Sequence, residues 1–181
     1  MVLYYMNKHV FNNDFASVSM AFFNKYPNPY NKNTISIDVI LRRIESNGNL
    51  FSIRLIKKQG KLPSWVTLFI GANSNITESW MIEYSTVNPK EQTLTTLIKN
   101  LNHTKLLQVE EHTLYRYNGD MERTFVNSKV KFSSGFKLGN HDIRNKIESW
   151  SQNKFEESVH RSRLGMSLVM QKIEEAAQNE L

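Results

Sequence analysis

The end of the chain differs in kind from everything before it. Between positions 140 and 178 there is no proline and a single glycine, and apolar residues recur at helical spacing. Such a run predicts one long helix over about 140–178. One face of that helix is apolar, so it must lie against another apolar layer. The residues that widen this face are Phe155, Val159, Met166, Val169 and Ile173.

The residues before that helix predict mostly strands. The first strand covers 2–11, and Asp14 is a good N-cap for a short helix through Phe22. Two X-Pro steps at 26–29 end this helix, because they force extended geometry and remove backbone donors. Alternating residues and turn sequences then predict six more strands. Their ranges are 34–44, 50–58, 76–84, 94–101, 106–117 and 124–133.

In the predicted strand 76–84, the apolar residues Trp80, Ile82 and Tyr84 alternate with polar ones such as Glu83. That pattern is typical of a strand with its apolar face on the core. The whole pattern predicts an α+β fold in which a curved seven-stranded antiparallel sheet wraps against the long helix. The 181 residues fit a single domain over 1–181.

Charge and composition restrict the function classes. The formal charge of +6 predicts an anionic partner, which could be nucleic acid, a membrane surface or a phosphorylated small molecule. A chain without cysteine has no disulfides, no thiolate metal site and no cysteine nucleophile. No apolar run reaches the roughly 18 residues of a membrane span, and the first residues lack the pattern of a targeting peptide. Since catalytic and metal-binding motifs are also missing, we expect no enzyme, metal or cofactor.

Two cations interrupt an apolar arc of the long helix that includes Trp150. Lys154 and Arg161 lie seven residues apart on it, together with the small residues Ser158 and Gly165. The cations could reach solvent or pair with a Glu. Alternatively, the small residues leave space beside the sheet, and the arrangement predicts a cavity with a cationic wall.

The stretch KKQGKLPSWVTLFIG at 57–71 places lysines directly before a cluster of large apolar residues. Gly60, Pro63 and Gly71 bracket the cluster, so it could be either a core element or an Ω-type lid. Lys58 and Lys61 would add to a basic site for one compact phosphate. A lid with neighbouring lysines is suited to membrane contact. The predicted lid and membrane-contact residues are Leu62, Pro63, Trp65, Val66, Leu68 and Phe69.

Four separated sequence motifs together resemble one known family. They are FFNKYPNP at 22–29, KKQGKLPSW at 57–65, VEE at 109–111, and the pair WS at 150–151 followed by RLGM at 163–166. In this order they resemble the PRELI-domain proteins of mitochondria over essentially the whole chain. The fungal phosphatidic-acid carriers are the most similar branch.

The resemblance implies a lipid cavity between sheet and helix, covered by a lid at about 60–75. It implies transfer of phosphatidic acid from the outer to the inner mitochondrial membrane for cardiolipin synthesis, by a protein of the intermembrane space that is peripheral on anionic membranes. It further implies a heterodimer with a small helical protein carrying twin Cys-x9-Cys motifs, and no nucleic acid. The positions that match the family's headgroup site are Lys25, Lys58, Lys61, Lys154, Ser158 and Arg161.

Three positions near that implied site differ from the usual family residues. Lys25 stands where Arg is usual, Asn33 where His is common, and Ser158 where Asn is frequent. A lysine cannot form the bidentate contact that an arginine makes with phosphate. Phosphatidylserine therefore stays an alternative ligand. A basic nucleic-acid-binding module is the alternative from a different class, and it predicts steeply salt-dependent binding of oligonucleotides.

Overall fold

The computed structural model describes residues 2–61, 76–104, 107–133 and 141–179. The regular elements within these ranges follow the predicted order. They are β1 (Val2–Phe11), α1 (Phe15–Asn24), β2 (Thr34–Ile44), β3 (Leu50–Lys61), β4 (Ile76–Asn88), β5 (Thr93–Asn100), β6 (Gln108–Asn118), β7 (Arg123–Ser133) and α2 (His141–Asn179).

The seven strands form one antiparallel sheet in the order β1-β7-β6-β5-β4-β3-β2. The strands β2 to β7 follow one another as a meander, whereas β1 crosses to the far edge and pairs with β7 from Val2–Ser133 to Phe11–Thr124. The curved sheet, the short first helix and the long last helix confirm the predicted α+β fold.

Helix α1 begins at the predicted cap. The Asp14 side chain accepts a hydrogen bond from the Ser17 backbone N–H at 2.7 Å, which satisfies one of the unpaired donors of the first turn. One face of α1 is buried through Phe15, Val18 and Phe22. This face places α1 against α2, so the residue that follows α1, Lys25, lies beside the long helix.

Apolar contacts between the sheet and the helices form two clusters. The smaller one joins Val130 and Phe132 of β7 to Phe155 and Val159 of α2. The larger one joins both helices to β1, β5, β6 and β7. Its buried members are Phe11, Phe15, Val18, Ala21, Phe22, Leu94, Tyr115, Val126, Met166 and Met170.

Between these clusters the concave face of the sheet is polar. The pairing of strands β3 to β7 aligns five buried hydroxyl residues in one row: Ser52, Ser85, Thr96, Thr113 and Ser128. The next row, two residues along each strand, contains Arg54, Glu83 and Glu111. A polar inner face of this kind can line a cavity, but it gives the sheet no continuous apolar core.

This inner face corrects the prediction for the fourth strand. Glu83 faces inwards and is 0% exposed, while Trp80, Ile82 and Tyr84 are half-buried on the convex side. Alternation located the strand correctly but assigned the wrong face to the core. The carboxylate can be buried because Arg54 on the neighbouring strand is its partner.

Gly165 lets α2 approach the segment after α1. A Cβ atom at this position would lie 2.5 Å from Asn28 Nδ2 and 3.3 Å from the Lys25 carbonyl oxygen. The Asn28 amide already donates to that same carbonyl. The small residue therefore serves close packing here, whereas Ser158 on the same helix lines the cavity described below.

We expect Gly165→Ala to lower the free energy of unfolding by about 1 kcal/mol, because overpacking outweighs the gain in helix propensity. In an exposed helix the same change would stabilise the protein by about 1 kcal/mol. Urea unfolding followed by circular dichroism decides the sign. An increase in stability would contradict the close contact with Asn28.

Candidate functional site

A cavity of about 230 Å³ lies between the concave face of the sheet and α2. Half of the residues in its wall are apolar, and most of these belong to the two clusters. The charged and hydroxyl-bearing residues in this wall are Lys25, Tyr26, Lys58, Thr96, Glu111, Thr113, Tyr115, Ser128, Ser151, Lys154, Ser158, Ser162 and Arg163.

Lys25 extends its ammonium group into this cavity from the end of α1. The residue is 5% exposed, its Nζ lies 3.4 Å from Ser162 Oγ, and it stands 4.3 Å from the centroid of the Phe22 ring. Burial lowers the pKa of Lys25 to about 8, against the opposing effect of Glu83. Lys25 is therefore still mostly protonated at neutral pH, and an anionic ligand would stabilise that charge.

Lys58 reaches the same cavity from β3. Burial lowers the pKa of Lys58, and the negative charges of Glu111 and Glu83 oppose that effect. Among the described residues, Lys58 has no ion-pair partner within 4.0 Å. Its neighbour Lys57 points to the convex face, where it forms an ion pair with Glu78 at 2.8 Å. Two adjacent lysines thus have different roles because strand alternation places them on opposite faces.

The third internal cation, Arg54, is already paired. Its Nε donates to Glu83 Oε1 at 2.7 Å, its Nη2 lies 2.6 Å from the same oxygen, and its Nη1 donates to the Phe23 carbonyl at 3.2 Å. The guanidinium also stacks over the rings of Phe22 and Phe23 at 4.9 and 5.2 Å. Arg54 and Glu83 therefore form a buried neutral unit behind the cavity.

Glu111 is the carboxylate in the cavity wall. Burial raises the pKa of Glu111, while the charges of Lys58 and Lys25 act in the opposite direction. Thr113 Oγ1 donates to Glu111 Oε1 at 3.5 Å and lies 3.0 Å from Ser128 Oγ. The preceding Glu110 is on the convex face, 3.2 Å from Lys99 and 2.9 Å from His112, as alternation predicts.

The structure brings together four of the predicted headgroup residues, since Lys25, Lys58, Lys154 and Ser158 all line the cavity. Lys154 also forms an ion pair with Glu157 at 2.8 Å. Arg161 is outside the described wall and pairs with the same glutamate, which is the alternative that the sequence left open.

The remaining predicted residues fall where the structure gives no side-chain description. Lys61 is the last residue of β3, and only its backbone pairing with Ile76 is described. The predicted lid residues Leu62, Pro63, Trp65, Val66, Leu68 and Phe69 lie outside the described residues.

A sequence profile of the PRELI-like family matches residues 16–176 of the chain. The chain belongs to the PRELI-like family. It is 51% identical to "Protein UPS1, mitochondrial" of Saccharomyces cerevisiae over 176 residues, 97% of each chain. It is 29% identical to the bovine "PRELI domain-containing protein 1, mitochondrial", covering 96% of this chain and 78% of the bovine protein. The resemblance inferred from the four motifs is therefore confirmed.

Similarity to solved structures supports the fold and says nothing about the function. The crystal structure of the protein TTHA0849 from Thermus thermophilus superposes with a TM-score of 0.60 at 10% identity, covering 94% of this chain and 99% of that protein. Membership of the PRELI-like family confirms the predicted lipid-transfer function, and the names of the relatives confirm the mitochondrial assignment.

Sequence reasoning missed several polar residues of this PRELI-like cavity. Glu111, Ser162 and Arg163 line it, and the Arg54–Glu83 pair lies behind it. Alternation along β6 could have found Glu111, because Val109, Thr113 and Tyr115 share its face. Arg163 donates to the Asn7 side chain and to the Lys8 carbonyl, contacts between α2 and β1 that sequence spacing does not indicate.

Two kinds of feature are absent from the described residues. In that part of the chain, no three His, Asp or Glu side chains are grouped in a way that could hold a metal ion. Nor does any helix among these residues have the length and apolar character needed to cross a bilayer.

Proposed function

We propose that the chain is a phosphatidic-acid carrier of the mitochondrial intermembrane space, which moves this lipid from the outer to the inner membrane and so supplies cardiolipin synthesis. The observation that carries the proposal is a pair of lysines in the wall of a largely apolar cavity, the buried Lys25 and the half-buried Lys58. A buried cation without an anionic partner is unfavourable, so the site favours an anionic ligand.

A phosphomonoester suits this pair of cations. It is compact and carries a charge of about −1.5 to −2 near neutral pH, and it has several acceptor oxygens. Lys25, Lys58 and Lys154 donate only, so they complement those oxygens. Phosphatidylcholine fits less well, because its quaternary ammonium would have to lie near the lysines.

The apolar part of the wall suits acyl chains. Leu107, Val109, Phe132, Trp150 and Phe155 line one side of the cavity near the start of α2. Exposing a chain to water costs about 0.8 kcal/mol per CH2 group, and a cavity that keeps the chains buried removes much of this barrier. Because 230 Å³ is below the usual range of roughly 300–1,000 Å³ for ligand pockets, a diacyl lipid extends past the described walls. Transfer of this kind needs no covalent step and no catalytic group.

The proposal includes two kinds of partner. The net charge of +6 attracts the protein to anionic membranes, where each basic residue near the surface contributes about 1 kcal/mol. The second partner is the small helical protein with twin Cys-x9-Cys motifs, bound as a heterodimer. A half-exposed apolar surface on the convex side of the sheet supports it, where Ile53 lies beside Tyr84 and Leu55 beside Ile82.

Phosphatidylserine is the second candidate ligand, and Glu111 is the observation that favours it. A carboxylate beside two lysines could pair with the ammonium group of a serine headgroup. The two ligands therefore make different demands on the same site. Phosphatidic acid uses only the cations, whereas phosphatidylserine would use the carboxylate as well.

The test is transfer between liposomes, with the protein purified together with its small partner. Donor vesicles contain fluorescent phosphatidic acid, phosphatidylserine or phosphatidylcholine in a constant phosphatidylcholine background. We expect rapid movement of phosphatidic acid and at least about tenfold slower movement of the other two, because charge-assisted hydrogen bonds to the phosphate are lost or weakened. Faster movement of phosphatidylserine than of phosphatidic acid would make phosphatidylserine the ligand of the site. No movement of any lipid would refute the carrier function.

A further inference from the structure

Glu111 is a carboxylate inside a site that otherwise suits an anion. The other inward-facing carboxylate, Glu83, is held by Arg54 at 2.6 Å. Glu111 differs, since in the described part of the chain it forms no ion pair within 4.0 Å, and its hydrogen bond from Thr113 is long, at 3.5 Å. The fold therefore does not use Glu111 as it uses Glu83.

The neighbours of Glu111 across the sheet give it no partner either. The strand register places Ile98 on one side and Val130 on the other, both apolar. A carboxylate in such surroundings is unfavourable unless a cation answers it. The charges that do act on it are those of Lys58 and Lys25, which face the same cavity. In the lipid-free protein, Glu111 is the negative charge that partly balances these two lysines.

We infer that Glu111 is a resident counter-ion of the headgroup site, which competes with the lipid phosphate for Lys25 and Lys58 and keeps binding weak enough for release at the acceptor membrane. This inference rests on the proposed function. It assigns to Glu111 the task of promoting lipid release, which a carrier needs and a storage protein does not. The lipid must leave the site as readily as it enters.

The sum of charges supports this competition. With Arg54–Glu83 and Lys154–Glu157 each forming a neutral ion pair, Lys25, Lys58, Arg163 and Glu111 carry a net charge of +2. A phosphomonoester of about −1.5 to −2 neutralises most of this charge, so the cations no longer compensate Glu111 as well. The phosphate and Glu111 then repel each other at short range in surroundings of low dielectric constant. Removal of the carboxylate charge should tighten binding and slow release.

The experiment compares Glu111→Gln with Glu110→Gln, using the protein in complex with its small partner. Each protein is incubated with vesicles containing phosphatidic acid and separated from them by flotation, and its bound lipid is measured. Delivery to acceptor vesicles is followed in parallel. We expect Glu111→Gln to retain about tenfold more phosphatidic acid and to deliver it more slowly. Glu110→Gln should match the wild type, because Glu110 lies on the convex face beside Lys99 and His112.

A pH series separates this role from a structural one. Because burial raises the pKa of Glu111, the wild-type side chain becomes neutral at a higher pH than an exposed glutamate does, and it then resembles glutamine. The difference in retained phosphatidic acid between wild type and Glu111→Gln should therefore become smaller as the pH falls. Other groups titrate in the same cavity, so at each pH the comparison uses only the ratio of phosphatidic acid bound by the two proteins. The other titratable groups in the cavity wall are Lys25, Tyr26, Lys58, Tyr115, Lys154 and Arg163, with the Arg54–Glu83 pair behind them.

Two results would overturn the inference. Equal retention by wild type and Glu111→Gln would mean that the carboxylate does not compete with phosphate. Reduced retention, with loss of phosphatidylserine binding, would mean that Glu111 holds an ammonium group. If Glu111→Gln does not fold, as judged by circular dichroism, Glu111→Met serves for the same comparison. Failure of the wild type to move phosphatidic acid would refute the proposed function itself, independently of both variants.

Discussion

Lys58→Met is expected to abolish transfer of phosphatidic acid, with a fall in rate of at least about thirtyfold. Lys58 is half-buried in the cavity wall and has no ion-pair partner among the described residues, so its charge is available to the headgroup. Removal of one partner from a buried charged contact costs about 2–5 kcal/mol in binding. Methionine keeps the length and apolar character of the lysine stem and removes the charge alone. The liposome transfer assay measures the loss.

Lys57→Met is the matched control for this change. Lys57 precedes Lys58 in the sequence, but it faces the convex side, where it pairs with Glu78 and lies 5.4 Å from the Trp80 ring centroid. We expect transfer by Lys57→Met within about twofold of wild type, since an exposed ion pair contributes little. Lys58→Met should keep the fold, as judged by circular dichroism, because Lys58 forms no ion pair with any described residue. Normal transfer by Lys58→Met would mean that Lys58 does not bind the lipid headgroup.

Most of the fold could be predicted from the sequence, because its elements are long and strongly periodic. The strand predicted at 34–44 matches β2, and the helix predicted over 140–178 matches α2 to within about a residue at each end. Local rules suffice for such elements. Asp14 caps α1 by a contact with Ser17, three residues away, and needs no tertiary information.

The inner face of the sheet could not be predicted in the same way. Alternation separates the residues of β4 into two sets, but it does not say which set faces the helix. The usual assumption, that the apolar set is buried, fails for Glu83 because its partner Arg54 is 29 residues away on β3. A buried ion pair is a tertiary feature, so no pattern within one strand reveals it.

The sequence indicated some residues of the candidate site but not how they are arranged. Lys154 and Arg161 share one helical arc, yet only the structure tells that both pair with Glu157 and that Lys154 alone lines the cavity. Lys25 was inferred from the family resemblance, because its position depends on how α1 packs against α2. Glu111 shares its face of β6 with three other lining residues, and its significance appears only beside Lys58 from another strand.

Arg54→Met is expected to destabilise the protein by about 3–5 kcal/mol. The change leaves Glu83, which is 0% exposed, as an uncompensated buried carboxylate, and a charge left in this way costs about that amount. It also removes the hydrogen bond to the Phe23 carbonyl and the stacking on Phe22 and Phe23. For a chain of this length, the loss corresponds to a fall in Tm of about 10 °C. Thermal unfolding followed by circular dichroism measures it.

The double variant Arg54→Met with Glu83→Met tests the cause. If the loss comes from an unpaired charge, replacing the glutamate as well should recover most of the stability, since apolar residues of similar size often substitute for a buried ion pair at little cost. Arg43→Met is the surface control, because the exposed Arg43 lies 3.6 Å from the half-buried Glu45, and this variant should lose less than about 1 kcal/mol. No recovery in the double variant would mean that the Arg54 contacts with Phe22 and Phe23, rather than its pairing with Glu83, stabilise the end of α1 that positions Lys25.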